Sequence, residues 1–299
     1  KARFGQTAWF DWPDKDLLNR DPAALAAARQ ELAEDIAFYQ AVQFWFFSQW
    51  KALKDHANGL GVRIIGDLPI YVSLDSADVW SERREFLLDE TGRPAGWRAC
   101  RRTTSRRRAS CGAIPCTTGR PRSGTASAGG SEGWRAPPAL FDAIRIDHFR
   151  AFERYWSIPA GAETAKEGQW EPGPGMDLLR VLTGWFPHIT YIAEDLGLLT
   201  PEVHQLREAA GLPGMKVLEF AFSGPGNEYL PHNYGSRRCV CYTGTHDNDT
   251  ALGWYDHAGE AERAFAERYL GASGRENVRQ ALLRCGMGST AELFVAQMQ

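Results

Sequence analysis

No stretch of about 18 consecutive apolar residues occurs in this chain, which excludes a transmembrane helix. No C-x-x-C pair occurs among the six cysteines at 100, 111, 116, 239, 241 and 285. A zinc site or a disulfide framework is therefore not expected, and a reducing cytoplasm is the expected compartment. Cys239 and Cys241 are two apart and are expected on one face of a strand. The opening residues Lys1-Ala2-Arg3-Phe4-Gly5 lack the apolar core of a signal peptide. They also lack an initiator Met, so the chain is expected to begin inside a longer one.

A second deficit is local. Residues 97–138 contain no Leu, Val, Phe, Tyr or Asp, and Ile114 is their one branched aliphatic side chain. They hold nine Arg, no Lys and a single acid, Glu132, a local charge of +8. The rest of the chain has 25 basic and 36 acidic residues, or −11, so the overall −3 conceals an uneven distribution. The conventional reading of such a composition is a disordered basic loop or a nucleic-acid patch. The segment lacks the aromatic interleaving of single-strand nucleic-acid binders, and no nucleic-acid partner is expected.

Elsewhere the composition suits a sizeable core, with 43% hydrophobic residues among 299. Eleven Trp and nine Tyr would suit stacking on sugar rings, and would equally suit a large interior. Asp21-Pro22 reads as an N-cap followed by a first-turn proline. Helical spacing then runs through Leu25, Ala28, Leu32, Ile36, Tyr39, Val42 and Phe46, on to Lys51 and His56, with Gly59 or Gly61 as the stop. Arg63–Val72 reads as a buried strand with its exit loop. Ala143–Asp147, Ile189–Glu194, Met215–Phe222 and Arg238–Thr243 read as further strands, and Thr200–Ala210 as a helix capped by Thr200. Strands alternating with helices predict an α/β chain with a parallel sheet. Five strands do not close a barrel of eight.

Three acidic clusters stand where apolar runs end: Arg145-Ile146-Asp147-His148-Phe149-Arg150, Ala193-Glu194-Asp195-Leu196-Gly197 and Thr245-His246-Asp247-Asn248-Asp249. Roughly 50 residues separate each from the next, the span of a strand, a loop and a crossover helix. Carboxylates at strand ends can build a site on one face of a (β/α) barrel, and they point to sugar chemistry run by acids. In Ile144-Arg145-Ile146-Asp147 the period-2 alternation sets both Ile towards covering helices, and Arg145 and Asp147 inward. A neighbouring Arg favours an ionised Asp147; a buried ion pair without catalytic role fits the same pattern. Adjacent Asp195 is expected to cap the turn before Gly197, and Asn248 and Asp249 to serve as loop and helix-cap residues.

Several of these segments together resemble one family. They are Ile64-Ile65-Gly66-Asp67-Leu68-Pro69-Ile70-Tyr71-Val72, Asp75-Ser76-Ala77-Asp78-Val79-Trp80, Arg145–Arg150 and Tyr242–Thr250, with Leu212–Leu218 and Leu230-Pro231-His232-Asn233-Tyr234. They resemble the amylomaltases, the 4-α-glucanotransferases (disproportionating enzymes) of glycoside hydrolase family 77. The resemblance covers nearly everything outside 97–138 and implies a (β/α)8 TIM barrel, incomplete in this chain, with first and last strands missing. It implies a catalytic barrel over 1–299, a segment 97–138 without native structure, maltooligosaccharides or α-1,4-glucans as partners, and no cofactor. The family carries V-A-G-V-P-P-D-Y-F and then W-G-N-P-L where this chain has neither. Under one choice of codons, Trp97–Ser105 read out of phase spells the first, and Cys111–Cys116 shifted the same way spells L-W-G-N-P-L. Residues 97–138 are therefore expected to be out-of-frame translation, with Thr104 standing where an acceptor-side Tyr belongs.

By the same resemblance Asp147 is the nucleophile, Glu194 the acid/base and Asp247 the transition-state stabiliser. Glu194 then needs a carboxyl that holds its proton more tightly than that of Asp147. Asp67, Arg145, His246 and Phe220 are implied in substrate binding. Read alone, Asp67 is equally a turn-stabilising residue, Phe220 a core aromatic and His246 a structural histidine. The expected function is transfer of an α-1,4-glucan segment to a glucose or glucan acceptor by retaining double displacement. A retaining α-glucan hydrolase and an inactive fragment of such an enzyme remain open. A metal-dependent barrel hydrolase using His246, Asp247 and Asp147 lacks the paired-His spacing it would need.

Overall fold

The computed structural model describes residues 1–86, 88–93, 96–99, 112–113, 139–159, 162 and 164–298. The chain divides into two compact units, 1–190 and 191–299. Most of 97–138, including Thr104, lies outside the described residues.

In the first unit Asp21 caps its helix as expected, its carboxylate accepting from the Ala23 and Ala24 N–H groups at 2.9 and 3.0 Å. The helix that follows is not continuous. It runs over Pro22–Glu31, breaks at Leu32 (φ −102°, ψ 22°) and resumes over Ala33–Gly59. Apolar spacing continues across Leu32, so periodicity could not reveal the break. Tyr39, Val42 and Phe46 of the expected apolar face are all exposed on the second helix, although their spacing is that of a buried face. The first unit's N-terminal core is instead Trp9, Trp12, Leu17, Leu18, Leu74 and Val79. The Trp9 indole N–H donates to the Leu74 carbonyl at 2.7 Å there, so the ring is buried without stranding its donor.

Among the described residues of this unit are seven strands: β1 (Ile65–Leu68), β2 (Val72–Ser73), β3 (Gly96–Ala99), β4 (Gly112–Ala113), β5 (Ala143–Ile146), β6 (Arg154–Pro159) and β7 (Gln169–Pro172). Strands β1 and β5 pair in parallel with Asp67 opposite Arg145 and Leu68 opposite Ile146. The expected segment over 63–72 is thus two short strands, and β1 is only partly covered, with Ile65 exposed. Strand β6 joins β3 and β7 in an antiparallel sheet, and β2 pairs antiparallel with β4. The alternation Tyr155-Trp156-Ser157-Ile158 is what a half-buried strand shows, yet β6 was not anticipated.

The second unit opens with β8 (Thr190–Ala193) and continues with β9 (Gly214–Val217), β10 (Cys239–Tyr242) and β11 (Leu293–Val295). The last three form a parallel sheet ordered β11-β10-β9, with Cys239 opposite Gly214 and Val240 opposite Leu293. Strand β9 is shorter than the apolar run suggests, because the chain turns into a 3₁₀ helix at Leu218–Phe220. Strand β11 escaped the sequence reading; three apolar residues alone carry too little pattern. Ile192, Met215, Val217, Val240 and Tyr242 pack one core beside the sheet. Leu218, Phe222, Leu230, Ala266, Val278 and Leu282 pack another with the helices Ala251–His257, Glu260–Leu270 and Arg275–Met287. Cys239 and Cys241 are both buried with free thiols. Among the described residues no helix is long and apolar enough to cross a membrane.

Candidate active site

Parallel pairing of β1 with β5 sets Asp67 and Arg145 side by side. Arg145, its side chain 7% exposed, grips Asp67 with two hydrogen bonds, Nε to Oδ1 at 2.8 Å and Nη2 to Oδ2 at 2.6 Å. The same Nη2 lies 3.5 Å from Oδ1 of Asp147. Asp147 follows β5 directly, and its N–H donates to the Leu68 carbonyl at 3.1 Å, which continues the ladder one residue past the strand. Asp67 lies on β1 and not in a turn, and its carboxylate accepts both bonds from the guanidinium that faces Asp147. His148, next in the chain, adopts φ +50°, a left-handed conformation a non-glycine residue seldom takes. Its ring lies 5.8 Å from that of Tyr71. Nothing in the sequence marked His148 for this strain.

In the second unit Glu194 follows β8 as Asp147 follows β5. Burial pushes the phenol of neighbouring Tyr229 up to about 12, with the carboxylates of Glu228, Asp195 and Glu194 adding to it. Tyr229 also meets Phe220 edge-on at 5.9 Å and carries the Lys216 ammonium 5.1 Å over its ring. Phe220 is 37% exposed and so is not a core aromatic. Asp195 caps no turn. It is buried and accepts from the Met215 N–H at 2.6 Å, with Arg207 Nε at 3.2 Å. Burial raises its carboxyl, against the lowering effects of the Met215 N–H and Arg207. Gly214 permits this contact, since a Cβ there would stand 2.2 Å from the Asp195 carboxylate.

The third cluster leaves β10 on an exposed loop. His246 Nε2 and Asp247 Oδ1 lie 3.6 Å apart, with both side chains largely in solvent. Asn248 braces the loop by accepting from the Thr245 N–H and hydroxyl at 2.9 and 2.8 Å. Thr250, and neither Asn248 nor Asp249, caps the helix Ala251–His257, accepting from the Gly253 N–H at 3.0 Å. Asp249 instead pairs with His257 at 3.0 Å. Sequence reasoning also passed over Glu219, buried behind this loop with its carboxyl pushed up to about 7 by burial first and by Asp249 second. An acid inside Val217-Leu218-Glu219-Phe220 was the available signal.

Asp67, Arg145 and Asp147 thus form one group in the first unit; Glu194, Phe220, His246 and Asp247 belong to the second. Each carboxylate sits on or just beyond the C-terminal end of a strand, where α/β folds place their chemistry. The family profile described as 4-alpha-glucanotransferase, glycoside hydrolase family 77, matches residues 1–115 and 133–299. The chain belongs to this family.

Among its relatives, the 4-alpha-glucanotransferase of Thermus thermophilus is 45% identical over all of this chain and 61% of its own length. That of Synechocystis is 39% identical over all of this chain and 60% of its own. The amylomaltase of Streptococcus agalactiae, solved in complex with acarbose, superposes with a TM-score of 0.88 at 31% identity, covering all of this chain and 61% of that one. The chain therefore spans about three fifths of the length of these family members.

Proposed function

We propose that the protein carrying this chain is a 4-α-glucanotransferase acting on maltooligosaccharides and α-1,4-glucans by retaining double displacement. The observation that carries this reading is Asp147 at the end of β5, facing Arg145 that Asp67 holds in a bidentate grip, in a chain of this family. A cation beside Asp147 favours the ionised form a nucleophile needs. In the first step the Asp147 carboxylate attacks the anomeric carbon of the donor and forms an ester. Glu194 gives its proton to the departing 4-oxygen. In the second step the Glu194 carboxylate takes the proton of an acceptor's 4-hydroxyl, whose oxygen displaces Asp147 and restores the glycosidic bond. This chemistry requires the two carboxyl groups to stand roughly 5–5.5 Å apart. Asp247 with His246 meets the sugar ring as positive charge develops, and Phe220 offers a face for stacking. Asp67 and Arg145 act on the substrate side chiefly through Asp147. The carboxylates carry the whole reaction, so no cofactor enters it.

Incubation of the full-length protein that carries this chain with maltotriose tests the reading. A ladder of longer oligosaccharides supports transfer; glucose and maltose alone mean a retaining hydrolase; no product overturns both. The larger architecture is part of the same proposal: the parallel strands β1, β5 and β8–β11 are members of a (β/α)8 barrel that this chain holds only in part. Cytoplasmic residence accords with the free thiols of Cys239 and Cys241. Out-of-frame translation remains our reading of 97–138. The family profile passes over 116–132, which supports it for those residues, whereas the alignment with 97–115 and 133–138 gives it no support. The nucleotide sequence across this stretch decides the matter, and an intact frame without compensating shifts rejects the idea.

A further inference from the structure

Glu219 begins where β9 turns into the 3₁₀ helix, and it is 4% exposed. Its N–H donates to the Thr243 carbonyl at 3.1 Å, joining the exit of β9 to the exit of β10. Its Oε1 is fully buried without a hydrogen-bond partner. A Cβ on Gly244 would stand 2.5 Å from that oxygen, so the carboxyl presses on the bare backbone of the loop leaving β10. Gln297, just past β11, holds the same loop from another side. Its N–H donates to the Thr243 hydroxyl at 3.1 Å, and its amide donates to the Thr245 and Asp249 carbonyls, both at 3.0 Å. The loop bearing His246 and Asp247 is thus seated on two side chains, one from each neighbouring strand.

The charges around Glu219 come from several elements. On the loop, Asp249 adds a like charge and is itself paired with His257 of the following helix. His246 and Asp247 pair with each other at the loop's outer end. On β9, Lys216 is engaged with Glu228 at 2.6 Å. Among the described residues no ion pair forms on Glu219. An ionised carboxylate in such a place keeps a buried, unsatisfied charge beside a like one, whereas the protonated acid does not.

We propose that Glu219, as a neutral carboxylic acid, is a positioning residue for the 243–250 loop, and that losing its proton loosens this loop and the His246–Asp247 pair it carries. The consequence for catalysis rests on the transferase reading; the hold on the loop does not. Hydrogen exchange over 243–250, corrected for intrinsic rates, tests the hold directly. Protection in the wild type is expected to fall about tenfold between about pH 6 and about pH 8 and to stay level in Glu219→Gln, which cannot ionise. A level wild type, or a variant that tracks it, overturns the proposal. Where Glu219→Gln fails to fold, Glu219→Met offers a second non-ionising side chain, with the same expectation. For catalysis, the alkaline limb of kcat/KM for transfer is expected to move to higher pH in the variant. An exchange response with an unmoved limb refutes the positioning role. An exchange response without any transfer activity supports the hold on the loop while removing the transferase reading.

Discussion

Two sites, one in each unit, manage a buried polar group in opposite ways. Around Asp147, the buried Arg145 cation meets Asp67 through two short bonds, with Asp147 at 3.5 Å from the same nitrogen. Around the loop after β10, the buried Glu219 meets a glycine backbone and leaves an oxygen unpartnered. Paired charge keeps a cation facing Asp147, which suits a nucleophile that must stay ionised. An unpaired acid gives a contact that depends on its proton. The contrast lies in register: parallel pairing places Asp67 opposite Arg145, whereas Glu219 lies beyond the paired residues of β9.

The most severe way to break the first arrangement is to keep its shape and remove the reacting oxygen. Asp147→Asn is expected to lower kcat for maltotriose disproportionation by about 10⁴-fold or more, with a much smaller change in KM. A variant within tenfold of wild type in product-ladder assays would falsify the nucleophile assignment. Glu194→Gln is expected to lose about 10²–10⁴-fold on natural donors and much less on a donor whose leaving group departs without a proton. An equal loss on both donors points away from acid catalysis.

Next in size is the grip itself. Arg145→Leu leaves Asp67 and Asp147 facing each other without their shared cation. Removing one partner of a fully buried pair costs about 3–5 kcal/mol. The Asp67 and Asp147 side chains keep 40% and 32% of their surface in solvent, so a loss at or below the lower end of that range is expected, read as a drop in the thermal midpoint. Arg145→Lys keeps the charge but cannot bond Asp67 through two nitrogens at once, and should recover only part of the loss. If Arg145→Leu melts like the wild type, the guanidinium is not holding the strand ends together.

The unpaired acid has a different signature. Its carboxyl rises from 4.5 to about 7 on folding, so the folded state binds the proton more tightly than the unfolded chain. The associated stability is complete below about pH 4.5 and is lost as pH rises through about 7, by an amount on the order of 3 kcal/mol. Relative to Glu219→Gln, the wild-type midpoint should therefore fall across that window and run parallel to it above. A constant difference between the two proteins over the whole range contradicts a titrating Glu219.

How much of this is legible in the sequence differs by residue. Asp147, Glu194 and Asp247 end or follow apolar runs, and local pattern reports strand ends well. The Asp67–Arg145 bond was not legible, because register between strands 78 residues apart is settled by tertiary pairing. The same limit hid the work of Asp195, whose partner Met215 N–H comes from the next strand 20 residues on. Glu219 offered a signal, an acid inside an apolar run, but nothing local says whether such an acid points to solvent or inward. The aromatic helix Ala33–Gly59 misled in the other direction, since helical spacing does not say what covers a face.

The smallest effect separates pattern from contact within the second unit alone. Thr200 and Thr250 both precede a helix, and both fit the same N-cap signature. The Thr250 hydroxyl accepts from the Gly253 N–H, whereas the Thr200 hydroxyl is buried and bonds nothing; its helix starts on Pro201, with the Thr200 carbonyl accepting from Val203. Thr250→Ala should therefore cost about 1 kcal/mol of stability, the usual worth of a cap. Thr200→Ala removes a buried hydroxyl that already lacks a partner, so it should be neutral or slightly stabilising in denaturant titrations. Equal losses at the two positions would mean that the cap signature, and not the bond each hydroxyl makes, sets the helix start.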